Sequence, residues 1–155
     1  MTAIPNLAPS EDEISVTRAF AVPRALVFEA YTNPAVLKRW LLGPPGWELV
    51  VCDVDLKIGG SYQWSWRNRE GFTMGMRGHY RDIVPNERLV ATETFDDPWA
   101  PAEALVTIEL DEHDGETTVS TTLRYDASEV RDAALRSELQ NGMTAGLDRL
   151  ASVLV

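Results

Sequence analysis

The sequence has few of the residues on which disulfide-linked, metal-binding and nucleic-acid-binding proteins depend. Cys52 is its one cysteine, so no disulfide can form within the chain. Its two histidines, His79 and His113, are too far apart in the predicted pattern to make a metal signature. There are 14 basic and 24 acidic residues, and the net charge of −10 repels nucleic acids and anionic membranes. We therefore expect neither of these partners and no metal.

Long apolar runs are missing as well. No uninterrupted apolar stretch approaches the roughly 20 residues that a membrane-spanning helix needs. The N-terminus has neither the basic nor the apolar segment of a signal peptide. No glycine-rich loop follows a predicted strand in a position to hold a phosphate group. These absences predict a cytoplasmic protein without a cofactor.

The length of 155 residues is enough for one domain with one core. Residues 1–12 are polar and contain prolines, so we expect a loose tail before a single domain over residues 13–154. The alternation of apolar and polar residues over residues 14–20 predicts a strand. Pro23 and Pro34 each suit the first turn of a helix, so two short helices should follow that strand.

Six further stretches carry strand signals, which are short apolar or alternating runs bounded by turn residues. They are residues 47–54, 61–67, 72–83, 88–95, 104–110 and 117–125. Residues 111–116, with the sequence DEHDGE, should form the turn of a hairpin between the last two. Because the connections are short, the sheet of about seven strands should be largely antiparallel.

The last segment predicts one long helix over residues 128–154. Ser128 suits its N-cap. Apolar residues recur at intervals of three or four, namely Leu135, Leu139, Met143, Leu147, Leu150 and Leu154. Such a stripe needs an apolar surface to cover, and the sheet is the surface available. The predicted fold class is therefore α+β, with a long C-terminal helix against the sheet.

Five segments, in order, resemble a known family: PRALVFEAYTNPAVLKRW, GPPGW, VDLKIGGSYQW, MRGHYRDIVPNERLVATETF and NGMTAGLDRLASVL. The resemblance runs from about residue 13 to residue 154. It is to homologues of the activator of heat-shock-protein-90 ATPase, in the START-like (SRPBCC) superfamily. It implies a helix-grip fold, in which a curved antiparallel sheet wraps around the C-terminal helix and an apolar cavity lies between them. Members bind lipids, hormones or aromatic polyketides, act as cyclases or dehydratases, or serve as co-chaperones, so the fold does not settle the function.

Aromatic and methionine side chains are the predicted walls of that cavity. Tyr62, Trp64 and Trp66 share one face of a strand, because side chains alternate with a period of two. They either line a ligand site or fill a core, and the resemblance favours the ligand site. The predicted ligand-binding residues are Trp40, Trp47, Tyr62, Trp64, Trp66, Met74, Met76, Phe95, Trp99, Met143 and Leu147, of which Trp40, Trp47 and Trp99 should lie nearer the mouth.

Two polar residues are weak catalytic candidates. Glu93 shares its predicted strand face with the apolar residues Leu89, Ala91 and Phe95. A carboxylate buried there would have a raised pKa, as a general acid or base requires. Alternatively, Glu93 pairs with an arginine or faces solvent. His79 has arginines beside it on its own strand face, which favours a solvated side chain unless a bulge turns it inward.

The sequence thus favours a protein that binds a small hydrophobic or aromatic ligand between the sheet and the C-terminal helix, rather than an enzyme. One alternative is a cyclase- or dehydratase-type enzyme that uses Glu93, with or without His79. The other is a co-chaperone-like activator of a heat-shock ATPase, which the family name suggests. The namesake carries an additional N-terminal chaperone-binding domain, for which we expect no room in this chain.

Overall fold

The structure is a computed structural model that describes residues 4–6, 13–42, 45–95, 103–125 and 139–154. In these residues an antiparallel sheet curves around the C-terminal helix, which confirms the predicted α+β helix-grip fold. In chain order the elements are strands β1 (Ile4–Asn6) and β2 (Glu13–Phe20), helices α1 (Arg24–Thr32) and α2 (Pro34–Trp40), strands β3 (Trp47–Val54), β4 (Ser61–Asn68), β5 (Thr73–Val84), β6 (Arg88–Phe95), β7 (Ala104–His113) and β8 (Glu116–Arg124), and helix α3 (Leu139–Val153).

The strands form one sheet in the spatial order β1-β2-β8-β7-β6-β5-β4-β3. Every pair of neighbours is antiparallel. All seven predicted strands are present, and β3 and β6 have the predicted bounds. Strands β3 to β8 follow one another across the sheet in chain order, as neighbours in an antiparallel sheet commonly do. Strand β2 then closes onto β8, so the chain's first long strand and its last strand lie side by side.

The N-terminus differs from the expected loose tail over residues 1–12. Ile4–Asn6 forms the short edge strand β1, which pairs with residues 15–17 of β2. Pro5 is tolerated there because an edge strand needs hydrogen bonds on one side only. The single domain over residues 13–154 stays a prediction.

The two short helices follow β2 as predicted. Pro23 is the N-cap of α1 rather than its first residue. Asn33 caps α2, because its side-chain oxygen accepts a hydrogen bond of 3.0 Å from the backbone N–H of Ala35. Trp40 ends α2, and its indole N–H donates to the Ala30 carbonyl oxygen of α1 at 2.9 Å. This bond holds the two helices against each other.

The hairpin between β7 and β8 is tighter than predicted. The strands extend to His113 and resume at Glu116, so the turn is made by Asp114 and Gly115 rather than by residues 111–116. Both turn residues have a positive φ, of 53° and 79°. Such a pair is typical of a type I′ turn, whose twist matches that of the flanking strands.

Helix α3 lies over the sheet with its apolar stripe inward. Leu150 is fully buried and Leu147 is nearly so. The predicted start of this helix at Ser128 lies outside the described residues. Helix α3 packs against residues of β2, α1, α2, β7 and β8, and together they form the main core. The buried residues of the main core are Val16, Phe20, Val27, Ala30, Leu37, Trp40, Leu110, Val119, Leu147 and Leu150. Among the helices that the structure describes, none is long and apolar enough to cross a membrane.

Candidate functional site on the inner face of the sheet

The inner face of the sheet is the face that β2, β7 and β8 turn toward α3. Directly opposed residues of antiparallel strands point to the same side, so the register extends this face across the sheet. Tyr80 of β5 lies opposite Ala91 of β6, and Met76 lies opposite Phe95. Glu93 lies between these two pairs on β6 and opposite Ala104 of β7. The inner face of β6 is therefore the one predicted from its apolar alternation, and Glu93 belongs to it.

Three rings on this face form an aromatic cluster of Tyr62, Trp64 and Tyr80. The ring centroids of Tyr62 and Trp64 are 4.5 Å apart, and those of Tyr62 and Tyr80 are 5.5 Å apart. The Tyr62 hydroxyl donates to the Thr92 carbonyl oxygen at 2.5 Å. Tyr62 thereby reaches from β4 across β5 to β6 and joins the cluster to the strand that carries Glu93.

Gly78 of β5 is what allows this crossing. It lies opposite Tyr62 in the register. A Cβ atom at this position would overlap the Thr92 carbonyl group and the Tyr62 ring. The cluster therefore depends on a residue without a side chain in the strand beneath it.

Two polar atoms of the cluster have no partner. Within the described residues, the indole N–H of Trp64 and the hydroxyl of Tyr80 are buried and make no hydrogen bond. Leaving such a group unsatisfied costs about 1–3 kcal/mol. Native proteins usually satisfy buried polar atoms with protein groups, ordered water or a ligand. Both atoms can donate, so a hydrogen-bond acceptor is the group that would satisfy either of them.

Glu93 is also placed inside. Its side chain is partly accessible, yet enough protein surrounds it that desolvation raises the pKa of its carboxyl group to about 7. Burial raises the pKa values of Tyr62 and Tyr125, and the nearby Glu93 carboxylate raises both further. The structure records no ion pair or hydrogen bond between this carboxylate and another described residue. The pairing of Glu93 with an arginine, one of the sequence alternatives, is not found there.

The predicted tryptophans differ in what their N–H groups do. Trp66 is buried and donates to the Leu41 carbonyl oxygen at 3.0 Å, just after α2. Trp40 is buried in the main core and bonded to α1, rather than open at a mouth. These two indoles are held by the protein itself, whereas that of Trp64 is not. A role for Trp40 or Trp66 in ligand binding stays a prediction.

The other predicted wall residues are dispersed over the same face and the helix. Met76 lies opposite Trp64 on one side and Phe95 on the other, so these three side chains form one row. Met143 of α3 packs against the main core and against the group around Tyr125. Of the rest, Met74 and Trp47 are partly accessible, Leu147 is buried in the main core, and Trp99 lies outside the described residues.

His79 does not join this site. Its side chain is exposed, as the arginines beside it predict. Strand β5 does contain a bulge, but it lies between Tyr80 and Asp82, after His79, and so it does not turn the imidazole inward. Glu93 and His79 are on opposite faces of the sheet and cannot act on one ligand. Among the described residues, no three His, Cys, Asp or Glu side chains come together as metal ligands.

Two residues of the site, Tyr80 and Tyr125, are absent from the predicted set. The alternation that selects Met74 and Met76 also includes Tyr80, so the sequence contains the signal for it. Tyr125 follows the end of β8, and only the folded sheet brings it close to Glu93.

Comparison with known proteins identifies the family of the chain. The model of the family "Activator of Hsp90 ATPase homolog 1-like protein" matches residues 21–155. The chain belongs to this family. The match confirms the resemblance read from the five ordered segments. A search among curated proteins finds no match.

Solved structures support the same assignment of fold. A protein from Rhodobacter sphaeroides is 28% identical, with 99% of this chain and 98% of that one covered and a TM-score of 0.91. A protein from Mycobacterium smegmatis is 19% identical, with 100% and 96% covered and a TM-score of 0.84. The AHSA1 protein from Silicibacter pomeroyi is 24% identical, with 90% and 95% covered and a TM-score of 0.72. The last two likenesses are evidence of the fold alone.

Proposed function

We propose that this protein binds a small hydrophobic or aromatic molecule between the inner face of the sheet and α3. The observation that carries the proposal is the pair of buried, unpartnered polar atoms, the Trp64 indole N–H and the Tyr80 hydroxyl. They belong to an aromatic cluster, so the same place offers flat apolar surface and directed hydrogen-bond donors. Apolar walls with a few fixed polar groups are typical of small-molecule sites.

The surroundings of the cluster favour an apolar body for the ligand. Buried or partly buried apolar residues pack around Tyr62 and Tyr80 from several strands and from α1; they are Tyr31, Val54, Trp64, Met76, Ile83, Leu89, Ala91 and Ile108. Aromatic rings supply rigid walls and methionine an adaptable one. A ligand without apolar surface would gain little from such neighbours.

Binding is a better conclusion than catalysis, because the site offers one acid–base group. His79 lies on the other face. Cys52 has its pKa raised by burial, an effect that nearby Lys38 only partly offsets, so its thiol stays protonated and unreactive. Chaperone association has no described surface that favours it, and we do not propose it.

A second candidate is an acid–base reaction that uses Glu93 without His79. The observation in its favour is the pKa of about 7, which lets one carboxyl group both accept and donate a proton near neutrality. If Glu93 transfers the proton in such a reaction, Glu93→Gln abolishes turnover of a substrate that the variant still binds. Retained turnover in that variant would exclude the reaction.

The binding proposal is tested with naphthylmethanol, a neutral aromatic alcohol, followed by amide chemical shifts of the whole chain. We expect saturable shifts in β4, β5 and β6 and a shift of the Trp64 indole proton. Trp64→Phe should weaken binding about threefold to tenfold, the value of one hydrogen bond. Trp66→Phe is the comparison variant, because it makes the same change where the N–H is already bonded to Leu41, so it should weaken binding less than Trp64→Phe.

A spectrum that stays unchanged at saturating alcohol would count against binding. Equal loss of affinity in both tryptophan variants would instead show that the Trp64 N–H does not contact the ligand.

A further inference from the structure

Three charged side chains of the described strands face inward, and two of them are satisfied by the protein. Arg18 of β2 lies opposite the buried Val119, and its guanidinium donates to the Asp148 carboxylate of α3 at 2.6 Å. Glu112 of β7 accepts a hydrogen bond of 2.9 Å from the Arg24 backbone N–H. Glu93 is the third, and no described residue pairs with it. A carboxylate that is placed inside and has no partner among the described residues suits a ligand that supplies one.

The residues directly opposite Glu93 on both neighbouring strands are small. On β7, the residue opposite Glu93 is Ala104. On β5, the residue opposite Glu93 is Gly78, because it lies midway between Met76, which pairs with Phe95, and Tyr80, which pairs with Ala91. These are the smallest side chains available. The nearest large side chain on this side is therefore that of Tyr62, which crosses over Gly78 from β4.

An aromatic surface begins next to this carboxylate. The Tyr62 hydroxyl ends on the carbonyl oxygen of Thr92, which belongs to the peptide group that joins Thr92 to Glu93. The Tyr62 ring runs back from there over Gly78 to Trp64 and Tyr80. The face of an aromatic ring attracts cations, and the attraction increases when the pair is removed from water.

A carboxylate beside aromatic rings is the chemistry that recognises an organic cation. A protonated nitrogen would make a charge-assisted hydrogen bond to the carboxylate and lie close to the rings. An anionic ligand would be repelled by Glu93 and by the net charge of −10. A bare metal ion would need several more oxygen ligands, which the described residues do not gather.

We propose that the ligand is an amine with an aromatic or other apolar body, whose protonated nitrogen pairs with Glu93 while its body lies on Tyr62, Trp64 and Tyr80. This inference rests on the proposed ligand-binding function and names the class of ligand. The Trp64 N–H then takes an oxygen atom elsewhere on the ligand or an ordered water.

The titration of Glu93 fits such a ligand. Burial raises its pKa to about 7, and the described titratable groups that interact with its charge, Tyr62 and Tyr125, are acidic. Neither of these described groups supplies the positive charge that would keep Glu93 ionised. A bound ammonium group would supply it, so at neutral pH amine binding should release about half a proton.

Three probes with one apolar body separate the ligand class from binding itself: naphthylmethylamine, naphthylmethanol and naphthoate. In calorimetric titrations of the whole chain at about pH 8, where Glu93 is mostly ionised, the wild type should bind the amine about tenfold more tightly than the alcohol. The carboxylate should bind least. Glu93→Gln should reduce the amine's affinity to that of the alcohol and leave the alcohol's affinity unchanged. Glu109→Gln, the same change on the exposed outer face of β7, should alter neither.

The possible outcomes separate the two proposals. If the wild type binds the alcohol at least as well as the amine, the ligand class is wrong, and the binding function stands because the alcohol binds. The same holds if Glu93→Gln keeps the preference for the amine. If none of the three probes binds, both proposals fail. The wild-type comparison of amine with alcohol does not depend on the folding of any variant.

Discussion

Replacing Glu93 by glutamine should stabilise the folded protein at alkaline pH and leave its stability nearly unchanged in acid. The Glu93 carboxyl lies on the inner face, and burial raises its pKa from 4.5 to about 7. No described residue compensates its negative charge. In the unfolded chain the same group is hydrated and has its ordinary pKa. Glutamine has nearly the same shape and never ionises, so it removes the cost of the buried charge.

The direction of the effect follows from the number of bound protons. Between the two pKa values the folded state keeps the proton that the unfolded state has lost, so rising pH favours unfolding. The stability associated with the protonated carboxyl is complete below about pH 4.5 and is lost as the pH rises through about 7. The difference between these pKa values corresponds to about 3 kcal/mol. Because the side chain is partly accessible, we expect about 2 kcal/mol.

Urea unfolding followed by tryptophan fluorescence measures this difference. The wild type and Glu93→Gln should have similar free energies of unfolding at about pH 4 and should diverge by about 2 kcal/mol at about pH 8.5. The other carboxylates titrate in both proteins, so they cancel in the difference. Glu109→Gln should follow the wild-type profile, since Glu109 is exposed. If the profiles of the wild type and Glu93→Gln run parallel, the carboxylate is paired or hydrated in the folded state and does not need an amine as its partner.

Three further changes test the geometry around the site. Trp66→Phe should destabilise the protein by about 1–2 kcal/mol more than Trp64→Phe, because only the former breaks a hydrogen bond; equal urea midpoints would contradict this. Gly78→Ala should cost about 2–3 kcal/mol in the same assay, because its methyl group overlaps the Tyr62 ring and a carbonyl group, and an unchanged midpoint would show that the strand yields. Asn33→Ala should cost about 1 kcal/mol, seen as a lower thermal midpoint, because it removes the N-cap of α2.

Much of the sheet follows from local patterns, because one face of each central strand is covered. Strands β3 and β6 have their predicted bounds, since apolar and polar residues alternate or turn residues bracket the run. The turn predicted over residues 111–116 is too long, because the side-chain pattern there does not reflect the strand pairing. Polar residues there resemble a loop, yet their backbone continues the pairing of β7 with β8. The hydrogen bonds between strands are made by backbone groups, so the polarity of the side chains does not predict where they end.

The parts that sequence reasoning misses depend on distant partners. Strand β1 forms because β2 presents an open edge to it, and nothing within Ile4–Asn6 encodes that edge. Alternation places Trp64 and Trp66 on one face but cannot show that the Leu41 carbonyl meets only the second indole. The outward direction of His79 depends on where the bulge of β5 falls, which is a property of its pairing with β6.

Three polar groups near one aromatic cluster on the inner face are the strongest reason to expect a ligand. Near α3 and the short helices, the polar groups have partners: the Trp40 N–H bonds to α1 and Arg18 bonds to Asp148. Toward β4, β5 and β6, the Trp64 N–H, the Tyr80 hydroxyl and the Glu93 carboxylate have none among the described residues. The Trp66 N–H and the Tyr62 hydroxyl of β4 are bonded to backbone carbonyl oxygens, so among the described residues these three groups differ from their neighbours. Their convergence beside one aromatic cluster is explained if a molecule from outside completes them.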